Sequence, residues 1–523
     1  MASLATTNND LEAIIARTAL KYDLLPYQSK PFAQSQPARL GAIARLFALD
    51  AAPMETARVL ELGCASGGNI IPHAMRYPNA TFVGVDLART QVAAGRSRIA
   101  QLGLKNIEIH CQSFTEIGDE LGQFDYVICH GVYSWVPAMV QDAIFRIVSA
   151  RLSPVGVACI SYNVLPGWRM MQPLRDAFLL QVPDHVDSLG RVAQARELLN
   201  FLKDTSPDQG PYGDMIRQWA DRLAGLPDDY IAHEFLEETN SPSTVREFVG
   251  SAAKHGLGYL GECELSSMIL DNYGAAVADQ IRARTHNNLI ESEQYLDLLS
   301  GRTFRQSLLV SAERMQLANR SLTADSVAEL HFLPPAGLRV ERDGKAAAVV
   351  DPAGRTLNTD SAEVIKGIDA MLARYPASSV LDDLAAEGDD VRTPLCDALY
   401  RMVIAGMLHV SSEPVTAGPS ISDKPCALAL ARADAASGSE LTTNQRHEPV
   451  SLDPATRALL PMIDGTRDHA TLTALLASAA IAGQFEFNRE GAPVTEAGAV
   501  NKIAAEYLPG LLRGIASAAL LKG

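Results

Sequence analysis

The 523-residue sequence predicts an α/β fold, a parallel sheet with helices on both faces, followed by a mostly helical C-terminal half. Two observations predict the sheet. Short apolar segments recur near 58–63, 81–86, 107–112, 124–130 and 155–162, and helical patterns near 67–76, 90–102 and 138–152 separate them. That alternation is what βαβ units produce. A third observation is the glycine turn Gly63-Cys64-Ala65-Ser66-Gly67 between the first apolar strand and a helix start, with Asp86 ending the next strand. Ligands of such sheets sit at the carboxyl ends of the strands. Those ends carry Gly63, Asp86, Gln112-Ser113, His130 and Tyr162-Asn163.

Further along, 169–226 reads as a charged helical insertion. A helix at 244–249 and a strand at 255–260 would complete the sheet, and 276–320 reads as further helix. After Leu333-Pro334-Pro335, an Asp343-Gly344 turn joins 338–342 to 346–350 as a hairpin. Helices follow to Gly406, then linker plus strand over 418–436 and a last helical unit over 453–522. Two stretches, 365–408 and 459–521, resemble each other weakly as winged-helix-like units, serving either DNA binding or packing and regulation. The expected division is 1–50 as an N-terminal substrate-side segment, 51–168 as the Rossmann-like domain, 169–228 as the insertion, 229–325 as a middle region completing the sheet, and 326–417 and 418–523 as two winged-helix-like units.

Composition narrows the function. Hydrophobic residues make up 47% and charged residues 20%, enough apolar content for ordinary cores. A net charge of −16 argues against nucleic acid as partner and favours basic partners. The seven cysteines include no C-x-x-C pair, so buried thiols in a reducing compartment are expected, and no metal site. The N-terminus lacks an apolar signal region and no apolar run spans a bilayer, so a cytoplasmic protein without membrane insertion is expected.

The turn decides the ligand class. It reads E-x-G-x-x-x-G rather than G-x-G-x-x-G. A dinucleotide pyrophosphate needs backbone N–H groups at a helix N-terminus. S-adenosylmethionine has no phosphate, and its ammonium suits an acid placed at Glu61. Gly63 and Gly67 are read as positions where a side chain would collide with cofactor, the alternative being an ordinary strand-to-helix turn. Asp86 is positioned to accept the ribose hydroxyls, worth about 1.5–3 kcal/mol. Leu87 and Phe114 flank the adenine or else belong to the core, and Ser113 or Gln112 reaches its amino group. Aromatic residues are only 6% of the chain, yet Tyr133 and Trp135 fall together after the fourth strand. Aromatic faces attract cations by about 0.5–2 kcal/mol. The competing reading packs Trp135 beneath the next helix.

Together Leu60-Glu61-Leu62-Gly63-Cys64-Ala65 with Gly67-Gly68-Asn69, the run His130-Gly131-Val132-Tyr133-Ser134-Trp135-Val136-Pro137, and Ser161-Tyr162-Asn163 with Pro166-Gly167-Trp168 resemble the class I methyltransferases that carry a methyltransferase regulatory domain. That group includes the rickettsial-type protein-lysine methyltransferases, which modify outer-membrane proteins. The likeness continues at Tyr22-Asp23 and Pro26-Tyr27, at His233-Glu234-Phe235-Leu236, at Arg302-Thr303-Phe304-Arg305-Gln306 and at Asp464-Gly465-Thr466-Arg467, and so spans nearly the whole chain. It implies the fold and the methyl donor, not the acceptor. The expected cofactor-binding set is Glu61, Gly63, Gly67, Asn69, Asp86, Leu87, Ser113, Phe114, His130 and Gly131. The expected acceptor site is Tyr133, Trp135 and Trp168 with Tyr22 or Tyr27 as a lid.

The leading expectation is methyl transfer to a protein lysine. The alternatives are N- or O-methylation of a small molecule and a non-catalytic protein that senses the cofactor. The insertion offers a surface for a homodimer.

Overall fold

A seven-stranded sheet organises the molecule. The structure, a computed structural model, describes residues 17, 20, 22–24, 28–183, 187–207, 210–385, 389–489 and 492–522. Strands β1 (Arg58–Leu62), β2 (Thr81–Asp86), β3 (Ile107–Cys111), β4 (Phe124–Cys129) and β5 (Leu152–Asn163) run parallel, and β6 (Leu257–Glu262) and β7 (Phe304–Ser311) close one side. The order is β3-β2-β1-β4-β5-β7-β6, with β7 antiparallel to both neighbours. Strand order reverses between β1 and β4, the place where open α/β sheets bind ligands.

Period-two alternation sends each strand's side chains into two cores. Val59, Phe82, Tyr126 and Ile128 point into one, with the helix Pro37–Leu46. Leu60, Leu62, Val83, Val85, Val127 and Cys129 point into the other, with the helices Ala138–Arg151 and Val245–Lys254. Both faces are covered, so the strands read as almost continuous apolar runs.

One expectation over this region is corrected. Residues 276–320 are helical only in part, because Phe304–Ser311 is β7, the strand between β5 and the edge strand β6. Its apolar trio Leu308, Leu309 and Val310 is fully buried and shows no alternation, and such a run cannot be told from a buried helix by periodicity. Arg305 misleads further. This buried arginine is ion-paired to Glu262, Glu293 and Asp297, so a charge that reads as surface lies inside the sheet.

The insertion forms the helices Gln172–Gln181, Ser188–Thr205, Pro211–Ala224 and Asp228–Phe235 around their own core of Leu174, Phe178, Val192, Ile216 and Phe235. The expected hairpin is present as Arg339–Asp343 and Ala346–Val350, with Thr356–Thr359 as a third strand. The helices Ala362–Ala373 and Asp389–Ile404 do not stand apart, since Val364, Ile368, Leu395 and Leu399 join the core that holds Val59 and Phe82.

The last unit has a separate core of Leu459, Leu472, Leu476, Leu508, Leu512 and Ile515. Here the expected linker plus strand over 418–436 is corrected: Ala429–Ala436 is a helix. The segment ALARADAA is half alanine or more, and alanine is the strongest helix former. Among the described residues no helix is long and apolar enough to cross a membrane.

Candidate active site

At the end of β1 the chain turns sharply. Gly63 takes φ +77°, and a Cβ there would lie 2.3 Å from Val132 Cγ2, so only glycine fits. The Gly63 amide donates to Val85 O at 2.8 Å, which ties the turn to β2. Asp86, ending β2, accepts the Ala65 amide at 2.7 Å and the Ala88 amide at 2.9 Å. One carboxylate thus holds both strand ends in register. Burial raises the Asp86 carboxyl above its usual range, and these backbone amides oppose the rise.

Glu61 is buried one residue before the turn. Its Oε1 accepts Asn69 Nδ2 at 2.8 Å, and its Oε2 meets no hydrogen-bond partner among the described residues. Burial pushes this carboxyl up to about 7, against the Asn69 hydrogen bond. The segment before the helix Pro37–Leu46 crosses over the turn. Gly68 donates to Ser29 Oγ at 2.7 Å, and Phe32 donates its amide to Asn69 Oδ1 at 2.9 Å.

A pocket opens over these strand ends. Of the expected cofactor-binding residues, Glu61, Gly63, Asn69, Asp86, Leu87, Ser113, Phe114, His130 and Gly131 line it. Gly67 does not. It faces a crevice on the other side of the turn, against the last unit. The Ser113 hydroxyl is engaged as the cap of Phe114–Glu116 and lies 2.8 Å from Thr115 Oγ1. The His130 ring packs tilted against Phe32, centroids 4.1 Å apart and planes 41° apart, and its Nδ1 lies 3.3 Å from Gln306 Nε2. Burial, with Lys30 nearby, lowers its imidazole to about 4, so it is neutral at physiological pH.

The expected acceptor residues separate. Trp135 lines the pocket and Tyr22 lines it too, stacked on His233 at 4.6 Å and 5°. Tyr133 points elsewhere: its ring is buried against Phe145, Tyr162 and Phe248, and it belongs to the core under the helix Ala138–Arg151. Trp168 is outside the pocket lining, edge-on beneath Trp135 at 5.9 Å in the core of the insertion. Tyr27 lies outside the described residues.

The pocket also takes residues that sequence reasoning did not place there. Lys30 comes from the N-terminal segment, and His233 and Glu234 come from Asp228–Phe235. Glu234 is largely buried beside His233 and Arg175, and burial pushes its carboxyl up to about 7. Arg175 donates to Glu234 O at 3.3 Å and its guanidinium sits 5.8 Å from the Trp135 ring. The only signal for Glu234 was its place in the stretch His233-Glu234-Phe235-Leu236. Nothing in that stretch announces a pocket shared with the glycine turn, far away in the sequence.

A Rossmann-like sheet of this order, with this turn and an acid at the end of β2, defines a class I S-adenosylmethionine-dependent methyltransferase. Three family models match: "Methyltransferase domain" over 59–156, "Predicted methyltransferase regulatory domain" over 227–311, and "PKMT, C-terminal winged helix domain" over 423–520. The uncharacterized protein RP789 of Rickettsia prowazekii is 31% identical over 551 residues, 99% of this chain and 98% of that protein. A second protein of the same organism, RP028, is 36% identical over 236 residues, 45% of this chain and 94% of that protein. The chain belongs to the RP789 family, the methyltransferases with a regulatory domain and a C-terminal winged helix. The structure of PKMT2 from Rickettsia typhi in complex with AdoHcy superposes with a TM-score of 0.82 at 25% identity, covering 95% of this chain and 100% of that one.

Proposed function

We propose that this methyltransferase acts on an amine, the side chain of a lysine in a protein. The observation that carries the reading is that Glu234 lines the same pocket as Asp86, together with Tyr22, Trp135 and His233. A lysine reaches neutral water as an ammonium with pKa about 10.4 and cannot attack until it loses a proton. A largely buried carboxylate that shares a pocket with aromatic rings attracts that ammonium and then accepts its proton. With Glu234 pushed up to about 7, its affinity for protons lies about midway between an ordinary carboxylate and a lysine, which eases the transfer. The low-polarity walls of Trp135 and Tyr22 lower the amine's own pKa as well.

On the cofactor side, Asp86 would accept the ribose hydroxyls, Leu87 and Phe114 would flank the adenine, and the open Oε2 of Glu61 would receive the methionine ammonium. That unpartnered buried oxygen is what makes these residues fit S-adenosylmethionine. Bound there, the sulfonium supplies an electrophilic methyl, taken in line by an aligned nucleophile. The chain's own residues align the amine, exclude water and hold the released proton at Glu234. Tyr133 and Trp168 would act from behind, bracing Trp135 and the ends of β4 and β5. The PKMT2 likeness supports a protein acceptor.

The test is incubation of the purified chain with radiolabelled S-adenosylmethionine and size-fractionated lysate. Label in a protein, mapped to lysine by mass spectrometry, is the expected result. Label confined to small molecules would overturn the protein acceptor, and label on oxygen would overturn the amine.

A further inference from the structure

The last unit reaches back into the cofactor site. Its hairpin Leu441–Thr443 and Pro449–Ser451 presents a turn that ends against the glycine loop. His447 in that turn takes φ +60° and is 3% exposed. Its ring stacks on His73 with centroids 3.9 Å apart and 19° between planes. Its Nε2 lies 2.8 Å from Asn69 Oδ1. The same oxygen accepts the Phe32 amide, while Asn69 Nδ2 donates to Glu61 Oε1 at 2.8 Å.

These contacts fix the direction of each bond. An amide oxygen only accepts, so His447 Nε2 is the donor, and the tautomer is set. Burial, helped by His73 and Arg76, holds the imidazole well below its usual range, so it donates as a neutral ring. With its oxygen held by two donors, the Asn69 amide must point its nitrogen at Glu61. Glu61 Oε1 is then engaged and Oε2 is left for a ligand.

The turn itself is anchored. Asn444 Oδ1 accepts the Arg446 amide at 2.8 Å and the Glu448 amide at 2.9 Å. Arg446 Nη2 donates to Pro334 O at 2.9 Å, and Arg76 hydrogen-bonds Gln445 O. A left-handed non-glycine residue kept in place by such a frame is strained backbone held where it is used.

We propose that the C-terminal winged-helix unit completes the cofactor site, with His447 as a positioning residue that orients Asn69 and, through it, the Glu61 carboxylate for the ammonium of S-adenosylmethionine. The proposal rests on the assignment of Glu61 to that ammonium and is independent of the methyl acceptor. It gives the last unit a role in binding the methyl donor, separate from any role in choosing the acceptor. Because linkage is reciprocal, donor binding would also tighten the seating of this unit.

The experiment is calorimetric titration of the full chain with S-adenosylhomocysteine, with steady-state kinetics alongside. His447→Ala is expected to bind about tenfold more weakly, as loss of one buried hydrogen bond implies, and to raise the donor KM with kcat nearly unchanged. His447→Gln, whose amide can donate to Asn69, should recover most of the affinity. In an Asn69→Ala background, His447→Ala should add less than about twofold, since coupled residues are not additive. Leu472→Ala, in the core of the same unit, should lower its thermal stability without the loss of affinity. Wild-type affinity in His447→Ala, a full further loss in the Asn69→Ala background, or an equal loss in Leu472→Ala would each overturn the proposal. Glu61→Gln separates the two failures: if it binds like wild type, the ammonium assignment is what fails.

Discussion

The two ends of the pocket are built in opposite ways. The cofactor end comes from residues 61–131, laid side by side by consecutive parallel strands. The residues proposed for the acceptor, Tyr22, Lys30, Trp135, His233 and Glu234, come from three separate parts of the chain. The first end is therefore a property of local βαβ geometry, and the second a property of how the insertion and the N-terminal segment fold back on the sheet. On the proposed reading, chemistry common to a whole class belongs to the first, and choice of acceptor to the second.

Substitutions at each end should separate these roles. Glu234→Gln keeps the shape of the acceptor end and removes the proton acceptor. It should lower kcat by about a hundred- to ten-thousandfold, the usual contribution of a positioned base, while S-adenosylhomocysteine binds as before. In the wild type, kcat should rise with pH until the carboxylate is ionised above about 7, and that rise should vanish in the variant. A variant that keeps its rate would remove Glu234 from the chemistry and return the acceptor end to the aromatic residues alone.

Asp86→Asn tests the other end. It should weaken cofactor binding by about ten- to a hundredfold, from loss of charge-assisted hydrogen bonds worth about 1.5–3 kcal/mol. Calorimetry would read this directly. A change in acceptor KM in place of cofactor affinity would blur the division between the two ends.

A smaller effect concerns pH. Glu61 is protonated in the free site below about 7. A ligand ammonium favours the ionised form, so binding below that pH must release a proton, and affinity should fall as pH drops through about 7, by at most tenfold per unit. In Glu61→Gln the curve should be flat. Tyr133→Phe is the smallest change. With the ring buried among Phe145, Tyr162 and Phe248, loss of the hydroxyl should leave kcat and cofactor affinity within about twofold. A large drop in turnover would bring Tyr133 back into the acceptor site.

Legibility followed the same division. Glu61, Gly63 and Asp86 could be read from spacing, because a strand, a turn and the next strand end must lie together. Tyr133 could not be told from Trp135, two residues away, because a short helical turn, Tyr133–Trp135, sends one ring into the core and the other to the pocket. Strand β7 was hidden because its apolar run Leu308-Leu309-Val310 has no period to read, and because the charge of Arg305 is cancelled by carboxylates from β6 and from the helix Leu289–Ser300.

By itself the sequence determined the parallel strands of the sheet, the glycine turn and the methyl donor, since these depend on residues within a few tens of positions and on backbone geometry that the residue types dictate. Tertiary structure alone decided that Glu234 faces the same space as Asp86, and that His447 meets Asn69 across 378 positions of chain. Such contacts depend on which faces of separate units bury each other. No local pattern encodes that, because it is settled by packing summed over the whole molecule.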